Sequence, residues 1–140
     1  MTIDEKQREL IDNLNFLEEW DEKYEYIIDY SKKIPIIEDK YKTDEYLVQG
    51  CQSRLWLQAV SNNGNIIYRA DSDADIPKGL ASMLIEVYSD SSADEILKTN
   101  LTFLKDTGII FHLSPNRVKG LNSLIGKMKE YANKLKKHEE

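Results

Sequence analysis

Leu55-Trp56-Leu57-Gln58-Ala59-Val60-Ser61-Asn62-Asn63-Gly64-Asn65-Ile66-Ile67-Tyr68-Arg69-Ala70 is the stretch that decides the fold. Apolar residues are dense and partly alternating from Leu55 to Val60, and Ile66, Ile67 and Tyr68 follow after Asn65. Between the two runs stands Asn63-Gly64, a pair that tolerates positive φ at both positions, as a tight type I′ turn requires. The pattern predicts an antiparallel hairpin. A short strand through Tyr46–Gln49 is expected to add a third.

Outward from the hairpin the apolar period becomes helical. On the N-terminal side, Thr2 followed by Glu5 has the form of a capping box, and Leu10, Ile11, Leu14 and Leu17 recur at helix spacing. Asn15 and Glu18 are candidate caps for a second helix with Trp20, Tyr24, Ile27 and Ile28 on one face. It should end near Lys33, because Pro35 disfavours a helical residue before it. On the C-terminal side Asp75 is a candidate N-cap, with Pro77 in the first turn, where a missing amide costs nothing. Leu80, Met83, Leu84, Val87 and Tyr88 then form a stripe. Ser92 and Glu95 have capping-box spacing before Ile96 and Leu97. Ser114-Pro115 reads as an N-cap and N1 proline, opening a last helix striped by Val118, Leu121, Leu124, Ile125, Met128, Tyr131 and Leu135. The expected fold class is α+β: a small antiparallel sheet of about three strands flanked by helices. No repeat, low-complexity tract or linker divides residues 1–140, so one domain is expected.

Composition narrows the function. With 41% hydrophobic and 31% charged residues the 140-residue chain has the make-up of an ordinary globular protein. Its net charge of −6 argues against a nucleic-acid partner, because phosphate neutralisation needs clustered cations. The basic residues near the C-terminus (Lys127, Lys129, Lys134, Lys136, Lys137) alternate with Glu130, Glu139 and Glu140 and read as a solvated helix end. No run approaches the ~18 apolar residues of a membrane span, and the N-terminus has no signal-peptide pattern. A single cysteine excludes an internal disulfide and a multi-cysteine zinc site, and fits a reducing compartment. A cytoplasmic protein is expected.

That cysteine is the first candidate for chemistry. Lone cysteines are commonly inert, buried small hydrophobes. Cys51, however, lies in Gln49-Gly50-Cys51-Gln52-Ser53, a polar, glycine-containing turn just ahead of the hairpin, where a thiol can be presented to a partner. Arg54 is close enough in sequence to favour a thiolate, and a surface arginine without that role fits equally. His112 invites a Cys–His catalytic pair; flanked by Phe111 and Leu113, it reads better as a structural histidine. His138 sits in the charged tail and is expected in solvent. Neither histidine has metal-ligand spacing, so no metal site is expected. Trp20, Trp56 and the tyrosines could be taken for a recognition stripe, but they fall on apolar faces, and core packing is the better reading for most.

Gly50-Cys51-Gln52-Ser53 with Trp56 resembles the GCQSxxW signature of the SufE family. Ser72-Asp73-Ala74 leading into Lys78-Gly79-Leu80 resembles the family's second block. His112-Leu113-Ser114-Pro115 with Arg117 and Gly120-Leu121 resembles its third, and Trp20-Asp21-Glu22-Lys23-Tyr24 with Tyr26-Ile27-Ile28 its N-terminal block. The likeness runs in order over roughly residues 16 to 132. It departs in small ways: Pro77 replaces a commoner aliphatic residue, and Arg54 a commoner neutral one.

The resemblance implies a fold like that of U-type iron–sulfur scaffolds and a role in sulfur mobilisation. A pyridoxal-phosphate cysteine desulfurase, SufS- or CsdA-like, forms a persulfide on its own cysteine. The acceptor thiol, by carry-over Cys51, collects the outer sulfur, stimulates the desulfurase and relays sulfur toward an iron–sulfur cluster scaffold. The chemistry parallels thiol–disulfide exchange, and a second thiol nearby would let the captured persulfide collapse. The chain is thus expected to be a carrier and activator rather than an enzyme, with no cofactor of its own and pyridoxal phosphate on the partner.

Gly50, Gln52 and Ser53 would support the thiol. The resemblance places Asp73 beside the cysteine loop, where it would influence opening; a turn aspartate bonding its own backbone is the competing reading. Arg117, a cation in the first turn of a helix, is unfavourably placed. It calls for a specific partner, Asp73 or a desulfurase carboxylate, unless it is a plain surface arginine. The thiol is expected to rest in an apolar pocket, and the chain to be a monomer or homodimer. Other readings are a Cys51–His112 hydrolase, a cluster scaffold (for which one thiol is too few) and a structural interaction domain.

Overall fold

The computed structural model describes residues 1–139, with side chains to residue 136. The expected exposure of His138 and the charges of Lys137, Glu139 and Glu140 lie outside the described side chains. At the centre, β1 (Leu55–Asn62) and β2 (Asn65–Ser72) pair antiparallel in the register Leu55↔Ser72 to Asn62↔Asn65. The turn has Asn63 at φ 54° and Gly64 at φ 83°, the two positive values that a type I′ connection demands.

The third strand is not where the sequence put it. Asp44–Tyr46 forms a 3-10 turn, and beyond it only the isolated bridge Leu47↔Trp56 and the Val48 N–H to Leu55 carbonyl bond (2.8 Å) join this segment to β1. The third strand is instead β3 (Ser91–Ser92), two residues paired with the start of β2, giving the order β1-β2-β3.

Helices surround the hairpin: α1 (Ile3–Phe16), α2 (Trp20–Tyr30), α3 (Asp75–Tyr88), the short α4 (Ala93–Lys98) and α5 (Phe103–Asp106), and α6 (Pro115–Glu139). Thr2 and Glu5 close the predicted capping box on α1. Two predicted caps shift. Glu19, not Asn15 or Glu18, precedes α2 and exchanges bonds with Glu22. Ala74 precedes α3 without a side-chain bond, so Asp75 is the first helical residue and Pro77 the third, still among the amides that lack an intrahelical acceptor. Ser92 Oγ accepts from the Glu95 amide, and Ser114 Oγ from the Arg117 amide at the start of α6.

The core lies between the hairpin, α3 and α6. Leu57, Tyr68, Met83, Leu84, Val87, Tyr88 and Met128 are fully enclosed. Tyr68 is buried whole, and its hydroxyl donates to the Met128 carbonyl at 2.7 Å, tying β2 to α6 without leaving a polar atom bare. Helices α2 and α3 touch backbone to backbone: a Cβ at Gly79 would lie 2.1 Å from the Ile27 carbonyl oxygen. Of the aromatic residues read as core, Tyr30, Tyr68 and Tyr88 are buried, while Trp20, Tyr26 and Tyr131 pack against the core and stay partly exposed. Trp20 and Trp56 are half-buried, with Lys42 Nζ 5.9 Å from the Trp56 ring centroid.

Candidate functional site

Cys51 stands at the tip of a loop whose neck is the Val48–Leu55 bond. Gly50 turns the chain there at φ +89°, a value that an L side chain rarely takes. Past the tip, Arg54 is held by its backbone. Its amide donates to Asp73 Oδ1 at 3.0 Å, and its carbonyl accepts from the Ser72 hydroxyl at 2.7 Å and the Asp73 amide at 3.2 Å. Asp73 therefore spans to the cysteine loop rather than closing a turn on its own backbone.

Beneath that clamp lies a charge cluster the sequence did not reveal. Asp71 is buried, and its carboxylate meets Lys42 Nζ at 2.6 Å, Lys78 Nζ at 3.1 Å and the Ser72 amide at 2.8 Å. Burial alone would raise the Asp71 pKa, but the bonds from Lys42, Ser72 and Lys78 outweigh it and hold the carboxyl below its usual range. Lys42 comes from the segment leading into the cysteine loop, so this ionic junction fastens that segment to the end of β2.

The thiol faces inward. Cys51 is half-buried and lines a pocket of about 80 Å³ whose walls include Leu55, Leu80, Leu121 and Leu124. Its S–H donates to the Gly120 carbonyl, with Sγ at 3.5 Å. Desolvation pushes the thiol pKa above its ordinary value, so any lowering by Arg54 is outweighed. Gln52, Ser53, Asn116 and Arg117 also line the pocket and give it a polar edge.

The other candidates sort by position. Arg117 is exposed and lines the pocket. Among the described residues it makes no ion pair, and Asp73, offered as its partner, is engaged by the Arg54 amide instead. His112 is absent from the pocket and unbonded to Cys51 among the described residues. Its ring stacks on Trp20 at 3.4 Å and 19°, and Nδ1, 3.1 Å from the Gly108 carbonyl, must carry the proton and donate. The Tyr24 hydroxyl donates to the His112 carbonyl at 2.6 Å. No Cys–His pair is assembled among the described residues. Among the described residues no group of three or more His, Cys, Asp and Glu side chains is arranged to hold a metal ion, and no helix is long and apolar enough to cross a membrane.

The loop-borne, pocket-seated sole thiol and its neighbouring blocks fall within residues 8–132, which match the SufE family, described as an Fe-S metabolism associated domain. The chain belongs to the SufE family. It is 33% identical over 129 residues to an uncharacterized SufE-like protein of Rhizobium meliloti (strain 1021), covering 89% of this chain and 92% of that one. A SufE-like protein of Rhizobium etli, also uncharacterized, is 31% identical over 129 residues, covering 89% and 87%. The solution structure of a hypothetical protein from Thermus thermophilus superposes with a TM-score of 0.78 at 18% identity, over 93% of this chain and 95% of that one. That likeness extends the α+β fold to a distant sequence. Membership in the SufE family ties this chain to iron–sulfur metabolism.

Proposed function

We propose that this protein accepts persulfide sulfur from a pyridoxal-phosphate-dependent cysteine desulfurase onto Cys51, stimulates that enzyme and passes the sulfur toward iron–sulfur cluster assembly. The observation that carries the reading is the sole cysteine of a SufE-family chain, placed on a glycine-turned loop over an apolar pocket. A carrier must present a nucleophile and then shelter a reactive sulfur, and a loop with an inward rest pose serves both needs.

The transfer needs no cofactor on this chain. The Cys51 thiolate attacks the outer sulfur of the desulfurase persulfide, a new S–S bond forms, and the desulfurase cysteine leaves as thiolate. The Cys51 proton goes to solvent or to the departing thiolate. Because burial disfavours the thiolate, the attacking state is the opened loop, where water solvates the charge. Arg117, without an internal ion-pair partner among the described residues, is available to a carboxylate of the desulfurase.

The test is sulfur loading. Incubated with its host's desulfurase and cysteine, the wild type should gain sulfur on Cys51 by intact mass and accelerate sulfide release. Cys51→Ser should do neither while folding normally. A wild-type chain that stays unloaded refutes the proposal.

A further inference from the structure

Helix α6 contains Gly120 and Gly126, and an interior glycine weakens a helix relative to alanine. Only one of the two has a neighbour to accommodate. A Cβ at Gly126 would meet nothing within 4 Å. At Gly120 it would lie 3.2 Å from Cys51 Sγ, 3.7 Å from its Cα and 3.8 Å from its Cβ. The loop makes a matching approach further along the same helix. A Cβ at Gly50 would stand 2.7 Å from Ser123 Oγ, and positions 120 and 123 share a helix face. Loop and helix thus meet at two points, each with a glycine on one side.

We propose that Gly120 is a positioning residue for sulfur transfer: its missing side chain is the seat of the resting thiol, and it sets how often Cys51 is presented. Carbon and sulfur atoms pack comfortably no closer than the 3.5–4.0 Å typical of carbon pairs. An alanine methyl at 3.2 Å therefore displaces Sγ by a few tenths of an ångström or turns it out of the pocket. Either movement weakens the S–H bond to the Gly120 carbonyl, made at 3.5 Å. The seat favours the neutral thiol, because a carbonyl oxygen accepts S–H but repels a sulfur anion. Closed and protonated, or open and nucleophilic, are then the two states that this position balances.

The inference rests on Cys51 being the sulfur acceptor, yet the seat is testable on the isolated full-length chain. Gly120→Ala and Gly126→Ala are made with Cys51 present and in a Cys51→Ala background. Iodoacetamide alkylation is followed against pH, and stability by urea unfolding. Gly126→Ala should alkylate as wild type. Gly120→Ala should alkylate roughly fivefold faster at neutral pH, a ratio equivalent to about 1 kcal/mol, with its pH midpoint moved down toward that of a free thiol. Alanine at 120 should also stabilise less than alanine at 126 when Cys51 is present, and equally when it is Cys51→Ala. Wild-type alkylation rate and midpoint in Gly120→Ala would overturn the seat. So would failure of Gly120→Ala to fold in the Cys51→Ala background, since Gly120 would then serve the fold and not the thiol. None of these readouts uses a desulfurase, so failed sulfur loading and a failed seat are separate results.

Discussion

Replacing Asp73 by alanine removes the acceptor for the Arg54 amide and leaves the two bonds to the Arg54 carbonyl, from Ser72 Oγ and the Asp73 amide, in place. A hydrogen bond to a charged group contributes about 1.5–3 kcal/mol when sheltered. Asp73 is exposed, so water competes, and about 1 kcal/mol is the appropriate size. That corresponds to a roughly fivefold rise in the population with Arg54 released. Hydrogen exchange at the Arg54 amide should accelerate by this factor in Asp73→Ala, and by less in Asp73→Asn, which keeps an acceptor oxygen. Cys51 alkylation should rise with it, up to the same factor if tip and trailing limb open together. Amides within the β1–β2 ladder, such as those of the paired Gln58 and Arg69, should keep their protection. Unchanged exchange at Arg54 would refute the clamp, and equal acceleration across the sheet would show a global loss instead.

Three further outcomes follow from the geometry. Asp71→Asn should destabilise the chain by about 2 kcal/mol at neutral pH, below the usual cost of breaking a buried pair because Lys42 and Lys78 keep some solvent. The folded Asp71 pKa is lowered, so its stabilisation is present above the unfolded carboxyl pKa and fades as pH falls through the folded value. Urea curves of wild type and variant should therefore converge in acid. Cys51, whose folded pKa is raised, has the opposite sense. Relative to Cys51→Ala, stability should fall as pH rises past the free-thiol value, and the native thiol should alkylate with a higher pH midpoint than the urea-unfolded one. Gly79→Ala should lose at least about 2 kcal/mol despite its better helix propensity, since a methyl 2.1 Å from the Ile27 oxygen cannot be relieved by a side-chain rotation. A melting temperature equal to wild type would contradict the backbone contact.

What the sequence disclosed were features with a local cause. Asn63-Gly64 fixes its turn by its own dihedral preferences, and Thr2 with Glu5 closes a cap without help from the rest of the chain. Ser91–Ser92 gave no strand signal, because its pairing follows from how α3 returns the chain to β2. Tyr46–Gln49 had strand-like residues, but a turn occupies its start and leaves length for a single bridge. The cap fell one residue past the expected Glu18, on Glu19, which has Glu22 three residues on to return the bond where Glu18 has the shorter Asp21. At the site, Cys51 stood out by its uniqueness and its polar turn. Lys42, Asp71 and Gly120 did not, since each gains meaning only from a neighbour distant in sequence. For the last, the hints were a glycine inside an amphipathic helix and its place in the block resembling the family's third motif.

The neck of the cysteine loop, where the Val48 amide meets the Leu55 carbonyl, has a consequence for repeated use. The fully enclosed Leu57, Tyr68 and Met128 lie behind that bond, and the loop outward of it supplies none of them. Under the proposed function, a sulfur handover cycle is insulated from the folding equilibrium. Each round of loading and delivery spends only a local fluctuation, and the protein need not visit a state whose bared interior would draw it into aggregates.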